Sequence, residues 1–354
     1  MKKIISLSVI ALSISLSAQT YKSFGREIFF GHLPSAKTEA MGRIVTLNYD
    51  PYFVSHSNPA NLVTTNGVAI FYSKASPYYF TYDATYNYAG ISYINPTVGA
   101  FAINYLNLEM VENIPQSPGG PDPIGSFEEN RLLYTLTYSY AIPNWFSFGI
   151  NANLFVDNSV EDQSFTGTFF ELGLSRNFNL IHDLPIKDDL TVATQLKNIF
   201  NQSFAYNDET PARALPSIFR FGLSNTIEYI DIDGDKESYL FGFTIGFEYQ
   251  DLFNSKHRTV HKVGSELSLL DILFLRGGYY RESSIEYGFY STLKIEEFTY
   301  GAGLKLDFEQ LFEENFPVIV RFDYVNSKQP TYITSFDDRD NFTTFTLIAN
   351  YRLN

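Results

Sequence analysis

Cysteine is absent from the 354 residues, which excludes disulfide cross-links and thiolate metal ligands. Positive charge is also scarce, because 25 Lys and Arg stand against 39 Asp and Glu and give a formal charge of −14. Such a chain is not attracted to a phosphate backbone, so nucleic-acid binding is not expected. The Gly-x-Ser-x-Gly pattern of a nucleophile elbow does not occur either, and we expect no enzyme.

Long apolar runs are missing as well, and the one short run lies at the N-terminus. Two lysines precede a mainly apolar stretch from Ile4 to Leu16, and the small residues Ser17 and Ala18 follow it. This order is typical of a secretory signal peptide, and the stretch is too short for a membrane-spanning helix. Residues 1–18 are therefore predicted to be a cleaved signal peptide.

Aromatic residues are abundant instead, with 26 Tyr and 33 Phe against a single Trp. This is more than a soluble core needs. Rings with a polar tip are favoured at the two interfaces of a membrane, where β-barrels carry aromatic girdles.

Apolar and polar side chains alternate along most of the chain, which is a period of two residues. In segment 239–249 (YLFGFTIGFEY), large apolar residues alternate with Gly242, Thr244, Gly246 and Glu248, and a tyrosine stands at each end. Successive side chains of a strand point to opposite faces, so we predict an apolar face that includes Tyr239 and a face of small and charged residues. Such segments run for roughly 10–13 residues, which suits a tilted crossing of a bilayer.

Segments of this kind predict an all-β fold, a 14-stranded antiparallel transmembrane β-barrel over residues 67–354. The links at 95–97 and 142–145 are short, whereas those at 109–129, 157–166 and 199–216 are long, as expected for periplasmic turns and extracellular loops. The expected strands are 67–75, 85–95, 97–108, 130–141, 145–156, 167–178, 189–198, 217–230, 237–250, 259–270, 272–281, 297–308, 317–327 and 342–353.

Residues 19–66 precede the first strand and are too apolar for a disordered tail. We predict that they form an N-terminal plug, or hatch, in the lumen, where inward-facing charged side chains could hold it by hydrogen bonds. The candidates for this role are Arg220, Glu228, Glu248, Lys305, Asp307 and Arg321.

The plug ends in the motif Asn58, Pro59 and Ala60. Proline fixes one φ and disfavours helix at the residue before it, and an asparagine side chain can bond the backbone that follows. The motif therefore predicts a rigid turn into the first strand. It is either a turn and nothing more, or part of a hatch with a transport role.

Metal and cofactor sites are not expected. The histidines are scattered, and the spacing of His257 and His261 brings two side chains together only in a helix. The acidic segment 231–237 has its glycine at the fourth position, whereas a calcium loop needs it at the sixth.

A long proline-rich loop follows the third predicted strand. Its residues Pro115, Pro118, Pro121 and Pro123 would stiffen it and lower the entropy lost on docking. It is equally suited to binding a partner and to protecting the barrel.

Short motifs also resemble a known family. Segments 35–42 (SAKTEAMG) and 58–62 (NPANL) look like the plug signature of FadL-like outer-membrane proteins, although Arg43 stands where the family often has a second glycine. Segments 196–199 (LKNI), 215–222 (LPSIFRFG), 263–266 (VGSE), 275–279 (LRGGY) and 301–305 (GAGLK) resemble blocks of the PorV/PorQ branch.

The resemblance implies two alternative functions. Classical FadL-like barrels pass hydrophobic compounds such as long-chain fatty acids, whereas PorV/PorQ-type barrels are accessory components of type IX protein secretion or surface attachment. The internal blocks resemble the second branch more closely, which favours the secretion scaffold with secretion proteins or cargo as partners. The inward residues that can be assigned are mostly Gly, Ser, Thr and charges, which also favours a plugged scaffold. An apolar lumen would favour the hydrophobic-solute channel. Both alternatives imply an outer-membrane location.

Overall fold

The computed structural model describes residues 29, 35–47, 53, 57–64, 67–76, 78–79, 82–95, 97–114, 125–160, 163–181, 185–200, 203–204, 213–215, 217–233, 236–252, 258–287, 290–309, 316–328 and 339–351. Short helices occur at Ala36–Ala40, called α1, and at Pro59–Thr64, which is a 3-10 helix. None of the helices in these ranges is long and apolar enough to cross a membrane.

Fourteen long strands form the barrel. They are β1 Gly67–Ala75, β2 Tyr82–Asn95, β3 Gly99–Ile114, β4 Gly125–Ile142, β5 Phe146–Val160, β6 Gln163–Ile181, β7 Ile186–Lys197, β8 Ile218–Asp233, β9 Lys236–Leu252, β10 Arg258–Leu269, β11 Leu273–Tyr287, β12 Tyr290–Asp307, β13 Val318–Lys328 and β14 Arg339–Tyr351.

The sheet is closed and antiparallel throughout. Each strand pairs with its sequence neighbours, and β1 pairs with both β2 and β14. The predicted fourteen-stranded antiparallel barrel is thereby confirmed. Closure satisfies the backbone groups that an open sheet would leave exposed at its edges. Two-residue strands at Tyr78–Tyr79, Ser203–Phe204 and Arg213–Ala214 add short ribbons.

Alternation sorts the side chains of each strand into an outer and an inner face. On β9, Phe243 is 43% exposed on the outside whereas its neighbour Thr244 is only 9% exposed and faces the lumen. The outer face carries exposed apolar residues on nearly every strand, such as Ile103, Leu136 and Leu275. A continuous apolar surface of this kind is suited to lipid rather than water.

The two ends of the barrel differ. We call the end with the connections 96–98, 143–145 and 270–272 the turn end; β1 begins there and β14 finishes there, since Val68 pairs with Tyr351. The opposite end, which carries the connections 115–124, 198–217 and 329–338, is called the loop end.

Two predicted loops are largely strand. The expected loop 109–129 is paired from Glu109 with Asn130 up to Ile114 with Gly125, and the expected loop 157–166 shrinks to 161–162. Backbone pairing does not require apolar side chains, so the ladder continues into polar sequence. The four prolines at 115–123 lie outside the described residues.

Tyr239 was expected on the outer face, and this was wrong. The pairing of β8 with β9 shifts at Tyr229 and Ile230, where a bulge adds one residue to β9. A bulge reverses the faces beyond it. Tyr239 therefore lies on the inner wall, and its hydroxyl contacts that of Ser268.

Matched lysine substitutions test the assignment of faces. Phe243→Lys places a charge in lipid and should cost roughly 2–4 kcal/mol, whereas Thr244→Lys enters a polar lumen. We expect Phe243→Lys to lose most of the heat-modifiable folded band on gels and Thr244→Lys to keep it. Equal loss in both variants would contradict the assignment.

Candidate functional site

The lumen contains two segments that precede the first strand, residues 35–47 and 57–64, here called the plug segments. Helix α1 begins after Ser35, whose hydroxyl caps it by accepting the Thr38 N–H, and it packs mainly against β12 and β13. The 3-10 helix packs against β4, β5 and β6 on the other side of the barrel. The plug segments thus reach both walls.

Inward-facing glycines seat the plug backbone. A Cβ at Gly149 would lie 2.4 Å from the carbonyl carbon of Pro59, and one at Gly173 would lie 2.0 Å from Asn58 Oδ1. Across the lumen, a Cβ at Gly264 would lie 2.3 Å from Met41 O. Any side chain at these positions would displace the plug, so the glycines of the inner face serve close approach.

A pair of adjacent glycines on β11 tests this contact. In Gly278→Ala the Cβ would lie 2.0 Å from Gly42 N, whereas in Gly277→Ala its nearest neighbour would be Ser265 Oγ at 4.0 Å. We expect Gly278→Ala to displace the plug and raise the ion conductance of the barrel in a planar bilayer, and Gly277→Ala to behave as wild type. Both variants should still assemble, since overpacking strain of roughly 1–3 kcal/mol falls on the plug contact. Equal conductances of the Gly278→Ala and Gly277→Ala variants would show that close contact at Gly278 does not hold the plug in place.

The Asn58, Pro59 and Ala60 motif lies against the inner wall. Asn58 Oδ1 accepts the Ala60 N–H at 3.1 Å, and Pro59 begins the 3-10 helix. The amide of Asn58 also donates to Leu174 O and Thr194 O, both at 3.3 Å. The motif therefore closes its own turn and attaches that turn to β6 and β7.

Arg43 occupies a backbone conformation that favours glycine. Its φ is 65°, next to Gly42 with a φ of 67°. The left-handed region costs a non-glycine residue roughly 1–2 kcal/mol. An ion pair with Glu39 at 2.7 Å and a guanidinium placed 4.1 Å from the centre of the Tyr280 ring offset this cost.

Glu248 is the main polar anchor of the first plug segment. One carboxylate oxygen accepts the backbone N–H groups of Val45 at 2.8 Å and Thr46 at 2.6 Å, and the other binds the ammonium of Lys262 at 2.6 Å. The side chain is completely buried. A buried carboxylate is tolerated only when it is paired and hydrogen-bonded, and here the plug backbone supplies two of its three hydrogen-bond donors.

Further polar side chains continue from Glu248 around the wall. Arg220 donates to Gln250 at 3.0 Å and to Gln195 at 2.9 Å, and Gln195 in turn donates to Ser57 O of the second plug segment. The remaining contacts join Lys262 to Gln250, Gln195 to Glu171, Asn151 to Glu171 and Lys197 to Glu171. We call this network the polar belt; it connects β5 to β10 with both plug segments.

Removal of the Glu248 carboxylate should free the plug. Glu248→Ala leaves the buried Lys262 ammonium without its carboxylate partner and two plug N–H groups without an acceptor, and breaking a buried ion pair costs roughly 3–5 kcal/mol. The readout is the rate of maleimide labelling in a Thr46→Cys background, which supplies the one thiol of the chain. We expect Glu248→Ala to raise this rate by about tenfold or more. The control is Glu296→Ala, which removes an exposed carboxylate of the outer face. Unchanged labelling in Glu248→Ala would show that this contact does not hold the plug.

The six predicted inward charges fall in three places. Arg220 and Glu248 belong to the polar belt. Glu228, Lys305 and Arg321 line a cavity of about 430 Å³ at the turn end, where Lys305 binds Asp271 at 2.5 Å. Asp307 lies at the turn-end rim and accepts the Glu309 N–H at 3.2 Å.

A second chain of ion pairs was not foreseen. It joins Lys37 of α1 to Glu266 at 3.6 Å, Glu266 to Arg276 at 2.5 Å, Arg276 to Asp323 at 2.6 Å and Asp323 to Arg321 at 3.6 Å. Two of these five residues, Glu266 and Arg276, lie on β10 and β11, whose alternation is weak in the sequence. Only the pairing register shows that their charged side chains share the inner face.

The inner face of β1 to β6 is apolar toward the loop end. Tyr88, Leu106, Leu133 and Phe155 form one continuous row in register across β2 to β5, and all four are buried. Phe71, Tyr86, Leu108, Phe165 and Phe169 extend this surface, which we call the apolar wall.

Two aromatic rings from the N-terminal region pack on the apolar wall. The ring of Phe53 stacks on Tyr88 with 4.9 Å between centroids, and that of Phe29 lies 5.5 Å from Phe155. The apolar wall was not predicted, because the expected inward residues were all on later strands. The signal was available, since the same alternation runs through β2 to β5.

Comparison of the sequence with known protein families finds no match, and comparison with curated proteins finds none. The fold is that of a solved channel. The CymD monoaromatic hydrocarbon channel has a TM-score of 0.50 and 9% sequence identity, with 90% of this chain and 98% of that chain covered. The match shows a shared barrel fold over nearly the whole chain.

Further solved structures are similar at lower scores. The toluene transporter TbuX of Ralstonia pickettii has a TM-score of 0.48 and 10% identity, with 92% of this chain and 99% of that chain covered. A Pseudomonas aeruginosa FadL homologue has a TM-score of 0.46 and 9% identity, with 90% and 98% covered. None of the three singles out the PorV/PorQ branch.

Proposed function

We propose that this chain is an outer-membrane channel for small hydrophobic molecules, with the plug segments as its hatch. The observation that carries the proposal is the apolar wall, a surface of large apolar side chains inside the barrel. A water-filled pore for polar solutes has a polar lining instead. The apolar outer face supports insertion in a membrane, and the signal peptide expected at residues 1–18 supports export to the outer one.

The arrangement along the lumen supports passage from the loop end toward the turn end. A hydrophobic molecule gains roughly 25 cal/mol for each Å² of apolar surface that it buries, so the apolar wall would concentrate it near the loop end. The plug segments lie next, and the charged cavity lies beyond them at the turn end. A polar exit would bind such a molecule weakly and favour its release.

The fold match adds support of a more general kind. CymD is described as a monoaromatic hydrocarbon channel, and its barrel is similar to this one over nearly its whole length. Because the two sequences are only 9% identical, the match does not indicate the substrate of this chain. The proposal of a hydrophobic substrate rests on the apolar wall.

The secretion-accessory role favoured by the sequence analysis is not retained. It rested on internal blocks that resemble the PorV/PorQ branch, which the comparisons do not single out, and on inward faces of Gly, Ser, Thr and charges. Such faces describe β8, β9 and β12 but not β2 to β5. The glycines, moreover, are explained by close contact with the plug.

Matched polar substitutions on β4 test the channel. Leu133 is 1% exposed on the apolar wall and Leu136 is 56% exposed on the outer face. Leu133→Asn puts an amide on the solute path and should lower uptake of radiolabelled toluene into cells by about fivefold to tenfold, because burying an unpaired amide beside an apolar solute costs roughly 1–3 kcal/mol. Leu136→Asn should change uptake little.

The same assay separates the channel from the secretion-accessory role. Deletion of residues 115–123 should leave toluene uptake near the wild-type level if the inner wall carries the function. If instead the deletion abolishes capture of exported proteins while Leu133→Asn leaves uptake unchanged, the channel proposal fails.

A further inference from the structure

A row of polar side chains crosses the inner wall directly beside the apolar row. Asn104 on β3 pairs in register with Thr135 on β4, and Thr135 pairs with Asn153 on β5. All three face the lumen and are buried, with Asn104 only 3% exposed. The row lies one step closer to the turn end than Leu106 and Leu133.

The hydrogen bonds of this row are incomplete. Thr135 Oγ1 donates to Asn153 Oδ1 at 2.7 Å. Within the described part of the chain, Asn153 Nδ2 and both polar atoms of the Asn104 amide have no hydrogen-bond partner. A buried polar group without a partner is destabilising, and native proteins keep few of them without a reason such as a bound ligand or water.

The side chains next to Asn104 carry no charge. Its Oδ1 and the ring tip of Phe71 both lie over Gly90, where a Cβ would come within 2.3 Å and 2.5 Å of them. The neighbouring row toward the loop end holds Leu106 and Leu133. Arg131 lies two rows away on β4 and forms an ion pair with Asp157 at 3.4 Å. The row therefore has neutral donors and acceptors and no cation for a carboxylate.

We propose that Asn104, with Thr135 and Asn153, forms a subsite for an uncharged oxygen group of a compact hydrophobic solute, such as a phenol, alcohol or ketone. This inference deepens the proposed function and rests on it. The amide of Asn104 can donate to such an oxygen and accept its hydroxyl hydrogen. The hydrocarbon part then lies on the apolar wall beside Leu106 and Leu133.

The test compares two solutes of similar size that differ by one hydroxyl, para-cresol and toluene. Binding is measured by ligand-observed NMR with the whole chain in detergent micelles, and empty micelles serve as the blank. We expect the wild type to prefer para-cresol. Asn104→Leu should weaken para-cresol binding by about threefold to tenfold, the value of one neutral hydrogen bond, and leave toluene binding unchanged or tighter.

Asn107→Leu is the matched control, because it makes the same substitution on the same strand with the side chain on the opposite face. It should leave the ratio of the two affinities unchanged. The melting temperature gives an independent readout, since loss of an unpaired buried amide should maintain or raise it in Asn104→Leu. Equal binding of both solutes by wild type would overturn the proposal. So would an equal effect of Asn104→Leu on both solutes, as expected for an amide that binds only water, or a lowered melting temperature with an unchanged ratio.

Failure of this subsite and failure of the proposed function are distinguishable. Binding in micelles does not require flux, so a chain that selects para-cresol but admits no solute would retain the subsite and lose the channel. If toluene uptake depends on Leu133 but the chain shows no preference for para-cresol, the channel is retained and the subsite is lost.

Discussion

The contact between Glu248 and the plug backbone is the interaction on which the rest of the lumen depends. One buried carboxylate satisfies two N–H groups of an irregular segment and neutralises Lys262, and each of these groups would be costly to bury alone. The polar belt extends this pairing to Arg220, Gln195 and Ser57 O. The barrel can therefore hold a non-helical segment in its interior without unpaired charge.

Around this contact the inner wall of the lumen has three regions that differ in the chemistry of their side chains. The wall that seats the plug is glycine-rich, the wall of β1 to β6 toward the loop end is aromatic and aliphatic, and the turn end is charged. Glycines allow close backbone approach, large apolar residues attract hydrophobic solutes, and paired charges prefer water nearby. The inner wall of a single closed sheet therefore differs in chemistry between the loop end and the turn end.

Much of the fold could be predicted from local sequence, because strand alternation has a period of two and an apolar face is selected at every second position. Phe243 and Thr244 show this directly. Prediction failed where the local rule was interrupted or insufficient. The bulge near Tyr229 and Ile230 reversed the face of Tyr239, and the polar ends of β3 and β4 looked like loop although their backbones pair.

The sequence by itself determined the number of strands, their antiparallel order and the two faces of the regularly alternating segments, because these follow from periodicity and chain connectivity. Only the tertiary structure decided which inward residues meet. Lys37, Glu266, Arg276 and Asp323 form one ion-pair chain because register aligns β10, β11 and β13 under α1. Likewise, the row of Asn104, Thr135 and Asn153 exists only through strand pairing, since residues far apart in the chain become neighbours when hydrogen bonds set the register.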